Sequence, residues 1–456
     1  MRKRVLPLLL SLVLCAALLP VSAAALEDGT FEYSIKDNQA TIHKYIGPQG
    51  DDVDIVIPST LGGCPVTAIG RPSSSGAFAS VKARSVTMPD SITSLDHYAF
   101  SSCTATTYRI SNNLKEVGDN AFLSTKATTI DLPDSVTNLG TSVFQGSALT
   151  SFRMPAGVKK IDYDTFYACK SLETVTLNAG LEEIGKKAFE NCPALKSLQL
   201  PASVKTIGRY AFEGCKSLTS INIPNGVTTI SFGAFDGCKA LQEIEIPRSV
   251  TRVEGDAFRD CDSLIDLIIP NTVTYLADVA MNCDNLESLT IPSSVKEGSM
   301  EYGGSAPKLI VYVNPSSYAA SREKTKDKLS VIDDASVDSD IHVRYNGRRV
   351  SFGKYGQNPV ITGGRTMVPL RSIFETMGAA VQWDDATRSV TATRGSTVIK
   401  MTVGQTNFTV NGQTKTLDVA PRIIGGRTVV PVRAIAEGFG ANVGWNGDAR
   451  IVSIRE

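Results

Sequence analysis

Leu218-Thr219-Ser220-Ile221-Asn222-Ile223-Pro224-Asn225-Gly226-Val227-Thr228-Thr229-Ile230 is one turn of a repeating chain. Ile221 and Ile223 alternate with Asn222 as in a half-buried strand. Pro224 ends the strand because it has no N–H for a ladder, and Asn225-Gly226 supplies a turn. Val227 and Ile230 then point back inward. Ala234-Phe235 begins a short helical or irregular return. Such a unit cannot bury its apolar face alone.

The same marks recur outward in both directions. The aromatic position returns at Phe78, Phe100, Phe122, Phe144, Phe166, Phe189, Phe212, Phe235 and Phe258, with Ala280-Met281 as a degenerate tenth copy. An apolar residue, usually followed by Pro, keeps the same register from Met88 through Ile223 to Val313. Stacked copies bury one another's faces, which implies a solenoid with a parallel sheet on one side. At about 4.8 Å per strand, eleven strand positions make a ladder roughly 50 Å long.

These residues resemble the BspA-type bacterial leucine-rich repeat, whose pattern runs Leu-x-x-Ile-x-Ile-Pro-x-Ser-Val-x-x-Ile-Gly-x-x-Ala-Phe-x-x-Cys. Leu195 to Cys215 and Leu218 to Cys238 fit it nearly throughout. Early copies depart: Ser111 stands after Ile110 in place of Pro, and Thr125 and Ser147 take the Cys position. The solenoid is expected over residues 59–334. Residues 26–58, with Phe31-Glu32-Tyr33-Ser34-Ile35 and Ala40-Thr41-Ile42 alternating, resemble the family's N-terminal β cap, which shields the open end of the stack.

Cys103, Cys169, Cys192, Cys215, Cys238 and Cys261 each follow the marker Phe by three residues. They are one repeat position copied, which reads as a small buried side chain rather than a disulfide framework. Neither a paired CxxC nor a nearby His-x-x-x-His accompanies them, so zinc is disfavoured. Cys64 and Cys283 lie off this pattern. His43, His97 and His342 are far apart in sequence, and neither a metal site nor a cofactor site is expected.

The chain ends differently. Residues 335–340 read as a linker, and Gly363-Gly364-Arg365-Thr366-Met367-Val368-Pro369-Leu370-Arg371 then returns 62 residues later as Gly425-Gly426-Arg427-Thr428-Val429-Val430-Pro431-Val432-Arg433. Leu370, Ile373, Phe374 and Met377 fall at helical spacing, as do Val432, Ile435, Ala436 and Phe439. The fold class is therefore mixed: a leucine-rich-repeat solenoid, then a small α+β domain of two duplicated strand-helix-strand modules, about 341–395 and 396–456. Residues 341–456 resemble the copper amine oxidase N-terminal-like, or stalk, domain through Asn346-Gly347 and the Gly-Arg-Thr-x-Val-Pro-x-Arg and Gly-Ala-x-Val-x-Trp elements. In the oxidase this region lies outside the catalytic domain. Catalysis resembling it would need three copper histidines and a Tyr in an Asn-Tyr motif; the domain has only His342 and the chain has no Asn-Tyr dipeptide. Trp383 and Trp445 could be sugar-stacking platforms, but their register with Val381 and Val443 favours core.

Residues 1–25 carry Arg2-Lys3-Arg4, an apolar run from Val5 to Leu19, and small residues around Ala23-Ala24-Ala25, the pattern of an export signal. Leu14 before Cys15 does not fit a lipoprotein motif. The run is short for a bilayer, and no later segment is apolar enough to span one. The net charge of zero is a cancellation. Residues 341–456 hold 15 Lys and Arg against 7 Asp and Glu, or +8, and residues 26–340 hold 28 against 39, or −11. The overall charge speaks against nucleic acid. The basic module suggests an anionic cell-wall polymer as a partner.

The outward strand positions form the open surface that such folds use for ligands. After Thr87 they are Arg109, Asp131, Arg153, Thr176, Gln199, Asn222, Glu245, Ile268, Thr290 and Tyr312. The expectation is a non-catalytic exported protein at the bacterial cell surface. Its solenoid face recognises an extracellular protein or glycan, as in adhesion, and its C-terminal module anchors or extends it. A structural envelope scaffold without a ligand is the alternative. An enzyme ranks behind both, since no nucleophile, base and orienting group can be assembled.

Overall fold

The computed structural model describes residues 26–70, 76–299, 306–323, 330–352 and 356–456. The export signal read over 1–25 and residues 324–329 of the charged run lie outside the described residues. Two separate apolar cores are present, one from Phe31 to Ala320 and one from Ile341 to Ile454.

The first core is the solenoid, and its coils stack through two parallel ladders rather than the single sheet expected. One ladder contains the Ile-x-Ile positions: Ile55 pairs with Val86 and Val86 with Tyr108, Phe152 with Val175, and Leu198 with Ile221. The second uses the Val-x-x-Ile segments, where Ile161, Ile184 and Ile207 stack in register.

The return past Ala-Phe is a run of turns, not a helix. Tyr98 and Ser102, two residues before and after Phe100, have φ near +58° and +55°. Alternating backbone hands aim the N–H groups of Tyr98, Phe100 and Ser102 at the carbonyls of Asp119, Ala121 and Leu123 in the next coil, at 2.6–2.8 Å. Inside the arc the nine phenylalanine rings form one stack, with neighbouring centroids 4.9–5.8 Å apart.

The cysteine position has a structural role. The thiols of Cys169, Cys192, Cys215, Cys238 and Cys261 donate to the carbonyl of the phenylalanine one coil earlier, at 3.0–3.3 Å. Cys283, expected to lie off the pattern, makes the same bond to Phe258 O at 3.0 Å. Phe258 N donates to Val279 O as Phe235 N does to Ala257 O, so Ala280, not Met281, fills the ring slot and Cys283 is in register. Burial pushes Cys215 and Cys283 up to about 12. Of the eight described cysteines, all free, only Cys64 is not buried. In a chain lacking residues 1–25, and so Cys15, iodoacetamide at pH 8 should therefore add one label when folded and eight after denaturation. Intact-mass measurement reads both numbers, and several labels on the folded chain would contradict sealed coils.

The hairpin Phe31–Lys36 and Gln39–Tyr45 closes the first end, with Tyr45 stacked on Phe78 at 5.5 Å. At the other end the helix Tyr318–Glu323 precedes the strand Ser330–Asp333, which pairs parallel with Ile310–Val313. Residues 335–340, expected as a linker, include a short 3-10 helix, Ala335–Asp338, with Ser336 and Val337 buried.

The second core has an internal two-fold. The strands Arg365–Pro369 and Arg427–Pro431 pair antiparallel about Val368 and Val430, which are equivalent residues 62 apart. Each strand leads directly into a helix, Leu370–Thr376 or Val432–Gly438, and then into a hairpin, Ala380–Arg394 or Asn442–Arg455. Gly378 and Gly440, at φ +77° and +86°, turn the chain out of the helices. The halves are intertwined, because the first hairpin, starting at His342–Tyr345, adds to the strand Ile451–Arg455 of the second half.

Candidate binding surface

The structure divides the ten outward positions into two groups. Arg109, Asp131, Arg153, Thr176, Gln199 and Asn222 are exposed. Glu245 and Tyr312 are half-buried and Ile268 and Thr290 are buried, because the C-terminal domain packs over this part of the sheet.

On the open part, Arg109 pairs with Asp90 at 3.5 Å and Arg153 with Asp134 at 2.8 Å, each aspartate following the proline of the preceding coil. The Asn222 amide forms two 2.8 Å bonds to the backbone of Leu200, extending the ladder through its side chain. A second outward row lies two residues upstream of the first, and sequence reasoning did not single it out: Thr107, Thr129, Ser151, Thr174, Ser197 and Ser220. The open surface is thus six coils of hydroxyls beside a mixed polar row. It ends in a cavity of about 540 Å³ against the C-terminal domain, lined by Gln199, Asn222, Asn225, Glu245, Asp448 and Arg455 among others.

Under the C-terminal domain the hydroxyl row turns acidic at Glu243 and Asp266. Arg344 reaches Asp266 with Nε at 2.7 Å, both side chains 1% exposed, and its terminal nitrogens approach Ile244 O. Arg455 pairs with Glu243, Arg348 with Glu287 at 2.6 Å, and Asn446 donates to Glu245 at 2.6 Å. Arg349 joins Asp334 at 2.9 Å and lies 4.6 Å from the Tyr312 ring centroid. Ile268 packs with Ala449 and Ile451. With Arg450 on Asp340, five of the fourteen basic side chains among the described residues of 341–456 are held by carboxylates of the preceding segment. Much of the charge asymmetry is therefore complementarity within one chain, which weakens a wall-binding argument made from charge alone.

His342 sits in this junction. Burial, with Arg349 and Arg344 nearby, pushes it down to about 3. The unfolded chain takes up a proton near 6.5 and the folded chain takes none until about 3, so stability falls as pH drops through that window. The slope is at most ~1.4 kcal/mol per pH unit. Comparing urea midpoints at pH 7 and pH 4 in wild type and His342→Leu isolates the effect; an equal acid loss in both would show that His342 is not its source.

Trp383 and Trp445, which their register assigned to the core, are 36% and 43% exposed and absent from the second core. Among the described residues no group of three or more metal-ligating side chains is assembled, and no helix is long and apolar enough to cross a membrane.

A stacked repeat solenoid with an open strand face, joined to a duplicated β-rich module, defines a class, and the comparisons agree with it. Residues 73–196 and 182–301 match the BspA type leucine rich repeat region in six copies, and residues 344–454 match the copper amine oxidase N-terminal domain. The chain belongs to the BspA type leucine-rich-repeat family. Both matches are to non-catalytic regions. Among solved structures it is similar to a leucine rich cell surface protein of Faecalibacterium prausnitzii, 26% identical, covering 69% of this chain and 97% of that one with a TM-score of 0.42. A leucine-rich repeat protein of Bacteroides ovatus is 19% identical, covering 68% and 99%, with a TM-score of 0.41. The pneumococcal vaccine antigen PcpA is 17% identical over 68% and 99%, with a TM-score of 0.39. A Brevibacillus choshinensis protein named as a protease inhibitor is 31% identical over 114 residues, 24% of this chain; the chain spans about a third of that curated relative's length.

Proposed function

We propose that this chain is an exported, non-catalytic binding protein of the cell surface. The open strand face from Arg109 to Asn222 recognises an extracellular protein or glycan, and the C-terminal domain holds the protein at the envelope. The observation that supports this reading most is the division of the sheet: the six coils from Arg109 to Asn222 stay open while those from Glu245 to Tyr312 are covered. A polar ligand lying along the hydroxyl row meets Arg109, Asp131 and Arg153 at one end and the cavity beside Gln199 at the other. The covering domain extends the surface by contributing Asp448 and Arg455 to that cavity.

The test is Arg109→Glu/Arg153→Glu. Both side chains are more than half exposed, so unfolding should shift by no more than about 0.5 kcal/mol. Binding to immobilised extracellular proteins and glycans should fall at least tenfold. An unchanged binding profile removes this face from the site and favours a scaffold without a ligand.

A further inference from the structure

The C-terminal domain contains two clefts, of about 400 and 290 Å³, that its two-fold relates at ten of the eleven lining positions of each. Each is built crosswise. In the first, Arg371, Val381 and Trp383 of one half face Ile423 and Arg427 of the other. In the second, Arg433, Val443 and Trp445 face Ile361 and Arg365. Every pair of equivalents is 62 residues apart, so the clefts were duplicated with the fold and not left by chance gaps in packing.

Their surfaces are unusual for this molecule. Four of the nine exposed large hydrophobic side chains among the described residues are Trp383, Trp445, Ile361 and Ile423. Large apolar groups left in water in pairs, each beside two guanidiniums, mark a surface that something covers. Trp383 donates Nε1–H to Asp385, which fixes the ring; the equivalent position of the second half is Gly447, which has no side chain to accept from Trp445. None of the four arginines belongs to the set that docks the domain on the solenoid. Arg371 and Arg433 reach Glu375 and Glu437 only at 3.9 Å, and Arg365 makes an exposed pair with Asp418 at 2.7 Å. Such surface pairs contribute about 0–1 kcal/mol and exchange readily for a ligand anion.

The geometry points to two equivalent sites for an acidic polysaccharide. An indole face accepts the C–H face of a sugar ring, and a guanidinium takes its carboxylate or phosphate in a charge-assisted pair. Duplication of the site within one domain suits a ligand that is itself a repeat, because the second contact becomes intramolecular and gains avidity with no new chemistry. This assignment deepens the reading of residues 341–456 as the part that holds the protein to the envelope, and it does not involve the solenoid face.

The chain has two tryptophans, one in each cleft, so tryptophan emission of the full mature chain, excited beyond the absorption of its tyrosines, reports both sites and nothing else. Titration with hexagalacturonate should change the emission with two equivalents bound, polygalacturonate should bind at least tenfold tighter per site, and maltohexaose should leave the signal unchanged. A phosphate-linked glycan polymer in a parallel arm shows which acidic group is preferred. Trp383→Phe should leave one reporter and report the second cleft alone. Arg371→Gln/Arg433→Gln keeps both reporters and should weaken binding at least tenfold with the free-protein spectrum unchanged. Emission that responds to neither acidic polymer, that responds equally to maltohexaose, or that titrates in the arginine variant as in wild type overturns the assignment. A chain that fails here while Arg109→Glu/Arg153→Glu still loses its ligand keeps the proposed function and loses these sites.

Discussion

Replacing Arg344 with alanine should lower the unfolding free energy by about 3–5 kcal/mol and release the C-terminal domain from the solenoid. The Arg344 guanidinium and the Asp266 carboxylate are both 1% exposed and bond at 2.7 Å. The carboxylate also takes the Ser288 hydroxyl, and the guanidinium approaches the carbonyls of Ile244 and Asp266. Neither charge has water to fall back on. Truncating one leaves the other buried and uncompensated, and that penalty exceeds the strength of the pair itself. The outer pairs cannot make up the loss. Arg348 and Arg455 are 63% and 61% exposed, where ion pairs contribute little and salt screens them. Arg344→Met/Asp266→Leu removes both charges and should recover most of the stability, because an apolar replacement of a buried pair is often neutral or better. Thermal unfolding gives the energies, and limited proteolysis within 335–345 gives the release. A single mutant that melts within about 0.5 kcal/mol of wild type, with the junction still protected, would show that the domain is held by other contacts.

How this junction escaped a sequence reading is a matter of sign and neighbours. The outward rows change from Thr and Ser to Glu243 and Asp266, and the polar row reaches Ile268, at the coils where the second domain lands. That change is visible in the sequence, but its partner, an arginine 78 residues away, is not. The opposite charges of the two segments were visible too, and pointed outward to a wall polymer when much of that charge is internal. Alternation failed in a related way at Trp383. The strand Ala380–Asp384 lies at the edge of its sheet, paired only with Ser389–Arg394, so sharing a face with Val381 does not cover the ring. The solenoid itself was legible because its period is enforced by sterics: each coil must offer a ring, a thiol-sized side chain and an inward aliphatic at fixed places. The second ladder was not, since its strands, such as Thr229–Ile230, are two residues long and too short to show a period of two. Cys283 was misplaced by one residue, because Met281 resembles the missing phenylalanine more than Ala280 does.

The same enforced period makes Phe189→Ala the other large effect. Phe189 is fully buried, with Phe166 at 5.1 Å on one side and Phe212 at 5.4 Å on the other, the planes within 8° and 4° of parallel. Removing the ring leaves a cavity between coils whose backbones are fixed by ladders on both sides, so collapse is restricted and about 3–5 kcal/mol should be lost. In a solenoid each coil contacts only its neighbours, so this loss falls on two adjacent interfaces in the middle of the stack and weakens the coupling between its ends. Phe258, whose following slot is occupied by Ala280, has one ring neighbour in place of two, and Phe258→Ala should cost less. Both tryptophans lie in the domain docked on the last coils, so fluorescence follows the C-terminal end in guanidinium while far-UV circular dichroism follows the whole stack. For Phe189→Ala the two transitions should separate, the circular dichroism curve beginning at lower denaturant. Coincident transitions with a loss below about 1.5 kcal/mol would mean that the ladders alone carry cooperativity along the solenoid, and that the aromatic stack fills space without coupling the coils.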